Sequence, residues 1–294
     1  MGWLDAVERL RRDRLPGVLV TLVAVRGHAP REAGAKMVVG AESTWGSIGG
    51  GNLEATAVDR ARAILASGTV EPEQVSLSLS HKARTEHGRQ CCGGEVTFLL
   101  EPLAVVPSVA VFGIGHVGLE LARILARHDL DLYLVDSRAE QLTAERLAPL
   151  EDAVARIEVH HAVLPELVLA GVPRGTHVLV MTHDHAEDAA LCDAALRCDH
   201  LGTIGLIGSS AKAARFRQNL AADGHAPEVV ARVHTPIGLP DLRGKEPATI
   251  AVGVAAALLR TIESEAPPRS STVRRVTTAP DAGQVTGPVE PAGT

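Results

Sequence analysis

The sequence predicts an α/β protein of two domains, of which the second is built on a parallel sheet. Its 294 residues are enough for two domains of ordinary size, and 46% of them are hydrophobic. Pro102 and Pro107 bracket a short connector that indicates a domain boundary. Beyond this connector, strands alternate with helices, which is the pattern of βαβ units. We therefore predict an N-terminal α/β domain over residues 1–103 and a parallel-sheet domain over residues 109–262.

The elements of the N-terminal domain follow from hydrophobic periodicity. β-Branched runs or alternating patterns predict four strands, at residues 17–25, 36–39, 75–80 and 95–100. Apolar residues at helical spacing predict two helices, at residues 3–13 and 53–66.

The second domain shows the same signals in strict alternation. Strands are predicted at residues 109–112, 132–135, 177–181 and 203–207. Helices are predicted at residues 116–128, 187–198, 210–222 and 247–262. Residues 265–294 are rich in Pro, Ser, Thr and Gly without periodicity, and we predict a disordered C-terminal tail there.

Composition excludes several classes of protein. A net charge of −6 and an aromatic content of 2% argue against a nucleic-acid partner. No unbroken apolar run reaches the roughly 18 residues of a membrane span, and the N-terminus lacks a signal-peptide pattern. Four cysteines, at 91, 92, 192 and 198, do not form the disulfide framework of a secreted protein. The sequence therefore predicts a cytoplasmic protein without membrane or nucleic-acid partners.

Two of the four cysteines, Cys91 and Cys92, are adjacent in a glycine-rich run from Gly88 to Gly94. Glycines weaken a strand interior, so this run is predicted to be a loop. The neighbouring Arg89 favours thiolate over thiol, and thiolate suits thiophilic metals. Cys91 and Cys92 are therefore candidate metal ligands. The alternative is that one of them packs as a small hydrophobic residue.

Gly113, Gly115 and Gly118 match the pattern G-x-G-x-x-G between a predicted strand and a predicted helix. This context is typical of a Rossmann-like turn, in which the glycines allow a tight turn and the approach of a pyrophosphate to the helix N-terminus. Asp136 ends the next strand, where it could accept a hydrogen bond from a ribose hydroxyl. His116, inside the turn, could contact a phosphate. The alternative is that the glycines serve packing only.

A second glycine run, Gly49, Gly50 and Gly51, precedes the helix at residues 53–66. Three consecutive glycines indicate a constrained backbone, and the run could bind an anion. A tight turn between strand and helix is an equal alternative.

His183, Asp184 and His185 follow the strand at residues 177–181, at its carboxyl end. Two histidines and an aspartate could bind a divalent metal. The same composition is typical of a helix N-cap, which we favour.

Taken together, these motifs resemble the xanthine dehydrogenase accessory proteins of the XdhC/CoxI family. The resemblance runs from Val18 to Leu259 and rests on several motifs in the same order, at residues 30–37, 46–54, 90–94, 111–118, 181–185, 205–209, 236–239 and 244–247. The family's cysteine motif corresponds to Cys91 and Cys92. Thr235 departs from many members, which carry cysteine there.

The resemblance implies an accessory protein, a chaperone rather than a metabolic enzyme. Such a protein binds the molybdenum cofactor, Mo-molybdopterin, holds it during installation of its terminal sulfur, and inserts it into a molybdenum hydroxylase such as xanthine dehydrogenase. It also implies a cysteine desulfurase as partner and a homodimer. Two alternatives remain open: an NAD(P)-dependent oxidoreductase that uses the turn at 113–118, and a scaffold that joins the desulfurase to the hydroxylase.

Overall fold

A computed structural model describes residues 2–78, 94–267 and 272–278. The chain divides into two compact units. The N-terminal unit comprises the chain up to Val105 together with the C-terminal segment from Pro267, and the second unit comprises Val106–Ala266.

A mostly antiparallel sheet forms the N-terminal unit. Its strands are β1 (Gly17–Arg26), β2 (Lys36–Val39), β3 (Thr44–Gly46), β4 (Glu73–Ser78), β5 (Glu95–Leu103) and the late strand β12 (Arg274–Thr278). Its helices are α1 (Trp3–Arg12) and α2 (Gly51–Ser67). The strand order is β12-β4-β5-β1-β2-β3.

Successive side chains of each strand point to opposite faces of this sheet, and one helix packs on each face. Val18, Val20 and Leu22 belong to the apolar cluster that contains the buried residues of α2. Leu19 and Val38, which point the other way, pack with α1. The α/β character predicted for this unit is thus confirmed.

The C-terminal segment differs from the predicted disordered tail. Residues 274–278 form β12, which pairs in parallel with β4, with Arg274 opposite Glu73. The two side chains approach within 3.8 Å, and Val276 packs against the apolar cluster of the unit. The strand escaped prediction because its stability comes from pairing with a distant segment rather than from its own composition. Residues 279–294 lie outside the described residues.

The second unit is a parallel sheet with helices on both faces. Its strands are β6 (Ser108–Phe112), β7 (Asp131–Asp136), β8 (Arg156–His161), β9 (His177–Val180), β10 (Ile204–Leu206) and β11 (Val233–His234). Its helices are α3 (His116–Leu125), α4 (Ala144–Leu147), α5 (His185–Arg197), α6 (Ser210–Ala222), α7 (Pro227–Val230) and α8 (Pro247–Glu265). The order is β8-β7-β6-β9-β10-β11, and every pair is parallel.

This order, 3-2-1-4-5-6 counted along the unit, is that of dinucleotide-binding Rossmann folds. Phe112 and Val180 pack on the face of α5 and α6, and Val111 and Leu134 pack on the face of α3 and α8. Strand order reverses between β6 and β9, so the ligand crevice of such a fold lies at their carboxyl ends. The predicted Rossmann-like domain is confirmed.

Among the described residues, α8 is the one helix long and apolar enough to cross a membrane by length and composition. Buried core helices meet the same criterion. Its residues Ala251, Val254, Ala255 and Leu258 are buried in the apolar cluster that includes α3.

Candidate functional site

Two close contacts between backbone atoms shape the glycine turn after β6. Gly113 has a φ of +99°, and a Cβ there would overlap the carbonyl oxygen of Met181. A Cβ at Gly118 would overlap the carbonyl oxygen of Gly113. Strand β6, the residue after β9 and the first turn of α3 therefore come together only because both positions lack a side chain.

Gly115 differs from its two neighbours because it faces open space. A Cβ there would have no atom within 4 Å, and the residue is the N-cap of α3 with a φ of −71°. The first N–H groups of a helix have no acceptor inside the helix, and the helix dipole favours an anion there. His116, the first residue of α3, is exposed beside this opening. The turn can therefore receive a phosphate group.

Asp136 lies at the end of β7, next to the turn, and is 2% exposed. Its Oδ2 accepts from the N–H of Ile114 (2.7 Å) and from Nη2 of Arg138 (3.1 Å). Its Oδ1 accepts from the N–H of Arg138 (2.9 Å) and from Nε of Arg138 (3.0 Å). Burial by itself raises the pKa of Asp136, but these hydrogen bonds outweigh burial and lower the pKa below its ordinary value. The carboxylate thus anchors the glycine turn.

The hydrogen bonds that the Asp136 carboxylate already accepts affect its predicted role as the acceptor for a ribose hydroxyl. A ribose hydroxyl would have to compete with four donors that already surround the carboxylate. Ribose binding at Asp136 therefore stays a prediction, as does ligand binding at Gly113, Gly115, His116 and Gly118.

A side-chain bond crosses the carboxyl edge of the sheet above the turn. The hydroxyl of Ser137 donates to Oε2 of Glu187 over 2.7 Å. Ser137 follows β7, Glu187 lies in the first turn of α5 after β9, and β6 lies between these strands. Arg146 adds a bond from Nη2 to the carbonyl oxygen of Ile114 (3.2 Å). Asp136 and Arg146 therefore hold the turn at Ile114, through its N–H and its carbonyl oxygen.

Sequence reasoning missed Arg138, Ser137 and Glu187 as parts of this site. Arg138 lies two positions after Asp136, and this spacing of opposite charges could have predicted the ion pair. Glu187 carried no such signal, because its contact with Ser137 spans fifty residues of sequence.

The residues after β9 form the predicted helix cap. Oδ1 of Asp184 accepts from the N–H groups of Ala186 (2.7 Å) and Glu187 (3.0 Å), and α5 begins at His185. No group of three metal-ligating side chains occurs among the described residues. Behind the cap, the buried carboxylate of Asp188 accepts from Thr182 and from Nζ of Lys212 (3.0 Å).

The second glycine run is a turn with its own internal acceptors. Gly49, Gly50 and Gly51 all have positive φ, of +131°, +71° and +61°. Oε2 of Glu54 accepts from the hydroxyl of Ser47 (2.7 Å) and from the N–H groups of Ile48 (3.2 Å) and Gly50 (3.0 Å). The N–H of Gly49 donates to Ser47 Oγ. These donors already have acceptors within the turn, so an anion would have to displace them. Cofactor binding by the three glycines stays a prediction.

The cysteines divide into two groups. Cys91 and Cys92, the predicted metal ligands, lie outside the described residues. Cys192 is buried in the core of the second unit, where burial raises its pKa to about 12. Such a thiol is unreactive at neutral pH, so Cys192 serves the packing of the core.

A family model of the XdhC Rossmann domain matches residues 109–258, more than half of the chain. The chain belongs to the XdhC and CoxI family. A second model, of the XdhC and CoxI family itself, matches residues 10–76 in the N-terminal unit. The motifs at 30–37 and 46–54 lie inside this match, and the glycine turn lies inside the first.

Relatives of this XdhC-family chain include the uncharacterized protein YqeB of Escherichia coli K12, which is 25% identical over 277 residues. The alignment covers 91% of this chain but 47% of YqeB, so the chain spans about half the length of that curated relative. Among solved structures, a xanthine dehydrogenase of Bacillus halodurans is 19% identical, with 90% of this chain and 97% of that chain covered and a TM-score of 0.46. A short-chain dehydrogenase of Oenococcus oeni is 15% identical, with 58% and 96% covered and a TM-score of 0.35.

Proposed function

We propose that this chain is an accessory protein of molybdenum hydroxylase maturation rather than an enzyme. It binds the molybdenum cofactor, Mo-molybdopterin, holds it while the terminal sulfur is installed, and inserts it into a hydroxylase such as xanthine dehydrogenase. The match of the XdhC family models to both units, in the order 10–76 and 109–258, carries this proposal. A cysteine desulfurase supplies the sulfur and is the second proposed partner.

The glycine turn fits one end of this cofactor. Molybdopterin carries a phosphate, and the open side of Gly115 lets an anion approach the N-terminus of α3. Arg138 and Asp136 hold the turn in place without occupying the space in front of Gly115. In this assignment the turn positions the phosphate.

Cys91 and Cys92 are the proposed ligands of the molybdenum. Molybdenum is thiophilic, and an arginine-flanked thiolate is a suitable donor for it. The assignment rests on residue chemistry alone, because the pair lies outside the described residues.

We expect purified protein to release molybdopterin that mass spectrometry detects after oxidation to its stable pterin. Cys91→Ala and Cys92→Ala should each lower pterin occupancy, and the double variant should lower it further, because each removes a soft donor. Cys198→Ala is the matched control, since it removes a partly exposed thiol at the C-cap of α5 and should leave occupancy unchanged. Full occupancy in both single variants and in the double variant would exclude the cysteine assignment.

Dinucleotide binding is the second candidate, because the strand order and the glycine turn are those of dinucleotide-binding folds. We expect fluorescence titrations with NADH and NADPH to show no saturable binding in the micromolar range. The reason is that Asp136 already accepts from Ile114 and Arg138, so the ribose lacks its usual acceptor. Saturable micromolar binding of either nucleotide would favour the oxidoreductase alternative.

The scaffold alternative makes a separate prediction for complexes. A cofactor chaperone needs its cofactor to bind the hydroxylase productively, whereas a scaffold does not. Persistence of the complex with hydroxylase and desulfurase after cofactor removal would favour the scaffold.

A further inference from the structure

Arg146, beside the glycine turn, forms no ion pair with any residue that the structure describes. It is one of five arginines between the start of β6 and the end of β8. The other four each pair with a carboxylate at 3.3 Å or less: Arg123 with Glu120, Arg127 with Asp152, Arg138 with Asp136, and Arg156 with Glu158. A half-buried cation without an acid is one that an anion from outside the chain would stabilise.

The short helix α4 sets the position of Arg146. Thr143 caps this helix, and its Oγ1 accepts from the N–H of Arg146 (3.4 Å). Leu147, the next residue, packs against the apolar cluster that includes α3. From α4 the side chain reaches the turn, where Nη2 donates to the carbonyl oxygen of Ile114 (3.2 Å). That oxygen belongs to the peptide that joins Ile114 to Gly115, so the guanidinium lies one peptide unit from the N-cap of α3.

The guanidinium of Arg146 keeps donors that the described residues do not use. An arginine presents five N–H groups in a planar fork, and two of them together fit two oxygens of a phosphate. The bond to Ile114 takes one N–H of Nη2, and Nε is buried without a hydrogen-bond partner in the part of the chain that the structure describes. The Nη groups therefore retain donors for an anion, whereas the protein itself offers this cation a single carbonyl oxygen.

The balance of charge around the turn favours such an anion. Asp136 and Arg138 neutralise each other at 3.0 Å. Glu187 is an acid on the same edge of the sheet, and its Oε2 accepts from Ser137. The positive end of the α3 dipole and the guanidinium of Arg146 act together on the space in front of the helix.

We propose that Arg146 is a phosphate-binding residue, which contacts an anionic ligand at the N-terminus of α3 from the side of α4. The guanidinium binds phosphate oxygens through its Nη groups, and the first N–H groups of α3 bind the others. The inference rests on the proposed function for the identity of the ligand alone. In that assignment the phosphate of molybdopterin lies between α3 and Arg146.

Isothermal titration calorimetry with inorganic pyrophosphate tests this role on the full chain stripped of bound pterin. We expect Arg146→Gln to raise the Kd for pyrophosphate at least about tenfold, because charge-assisted hydrogen bonds are lost. Arg127→Gln is the matched control. It removes a guanidinium that already pairs with Asp152 beyond the C-terminal end of α3, and it should leave the Kd unchanged.

The salt dependence of binding separates contact with the anion from a purely structural role of Arg146 at Ile114. If Arg146 contacts the anion, added salt should weaken pyrophosphate binding less in Arg146→Gln than in the wild type, because the charge that salt screens is gone. Arg146→Lys keeps the charge without the planar fork and serves if Arg146→Gln folds poorly. We expect it to raise the Kd at least about threefold.

Absence of pyrophosphate binding by the wild type, or a wild-type Kd in the folded Arg146 variants, would overturn the proposal. A raised Kd with unchanged salt dependence in Arg146→Gln would also overturn it, because the loss would then come from the turn. Binding that depends on Arg146 in a protein that never carries pterin would keep the anion site and exclude the cofactor assignment. Normal pterin occupancy in Arg146→Gln would keep the cofactor and exclude contact between Arg146 and its phosphate.

Discussion

Gly118→Ala is expected to destabilise the Rossmann unit by about 3 kcal/mol or more, as measured by denaturant unfolding. The added Cβ would overlap the carbonyl oxygen of Gly113, and both groups belong to backbone that cannot move without breaking the turn. Strand β6 and helix α3 would have to separate, and the N-terminus of α3 would lose its position. Pterin retention would then fall together with stability.

Gly115→Ala, three residues earlier, is the matched variant with the opposite expectation. Its Cβ would meet no atom within 4 Å, and a φ of −71° is open to alanine, so stability should fall by no more than about 1 kcal/mol, the cost of alanine at an N-cap. The methyl group would nevertheless occupy the approach to the α3 N-terminus, so we expect pterin occupancy to fall at least about tenfold.

The pair of glycine variants separates folding from binding. Normal pterin occupancy in a folded Gly115→Ala protein would mean that the phosphate does not lie at this turn. Wild-type stability in Gly118→Ala would mean that the backbone contact between Gly118 and Gly113 is not needed.

Asp136→Asn is expected to cost about 3–5 kcal/mol, the usual loss when one partner of a buried ion pair is removed. Oδ1 of Asp136 accepts from two donors of Arg138. Oδ2 accepts from the N–H of Ile114 and from a third donor of Arg138. The amide group of asparagine would place its own N–H donors against one of these sets, and Arg138 would lose its counter-charge. Thermal and urea unfolding of the full chain would measure the loss.

Ser137→Ala is the control beside it. This change removes one hydrogen bond, that to Glu187, and should cost no more than about 1.5 kcal/mol. If Asp136→Asn were as mild as Ser137→Ala, the ion pair with Arg138 would not hold the turn.

The same carboxylate predicts a dependence of stability on pH. The pKa of Asp136 is lowered in the folded protein, so the unfolded chain binds this proton at a higher pH than the folded chain does. Its contribution is therefore complete above the ordinary aspartate pKa of about 3.9 and is lost as pH falls through the lower folded value. Asp136→Asn should remove this part of the acid destabilisation.

Some strands and helices could be predicted from the sequence alone, because their own residues show the periodicity of the element and mark its ends. The run at 109–112, the glycines after it and the helix at 116–128 were read from sequence, and the structure has them as β6 and α3, with the helix ending at Leu125. Helix α6 has the predicted bounds, Ser210–Ala222. These elements combine β-branched or periodic residues with glycine or cap residues at their ends, so few alternatives compete.

The missed elements are the four-residue helices α4 and α7 and four strands at the sheet edges. Strands β3, β8, β11 and β12 were not predicted. Strand β8 mixes charged residues and histidines with Ile157 and Val159, and β11 is two residues long. Such strands exist because a neighbouring strand offers hydrogen bonds to them, and a single sequence does not show that neighbour.

The sequence by itself determined the Rossmann turn, with Gly113, Gly115 and Gly118 between strand and helix and Asp136 on the next strand. Only the tertiary structure decided that Asp136 anchors the turn through Ile114 and Arg138, and that residues 274–278 return to the N-terminal unit. The physical reason is the range of the interactions. Glycine conformation and helix capping act within a few residues, whereas ion pairs and strand pairing join segments that only folding brings together.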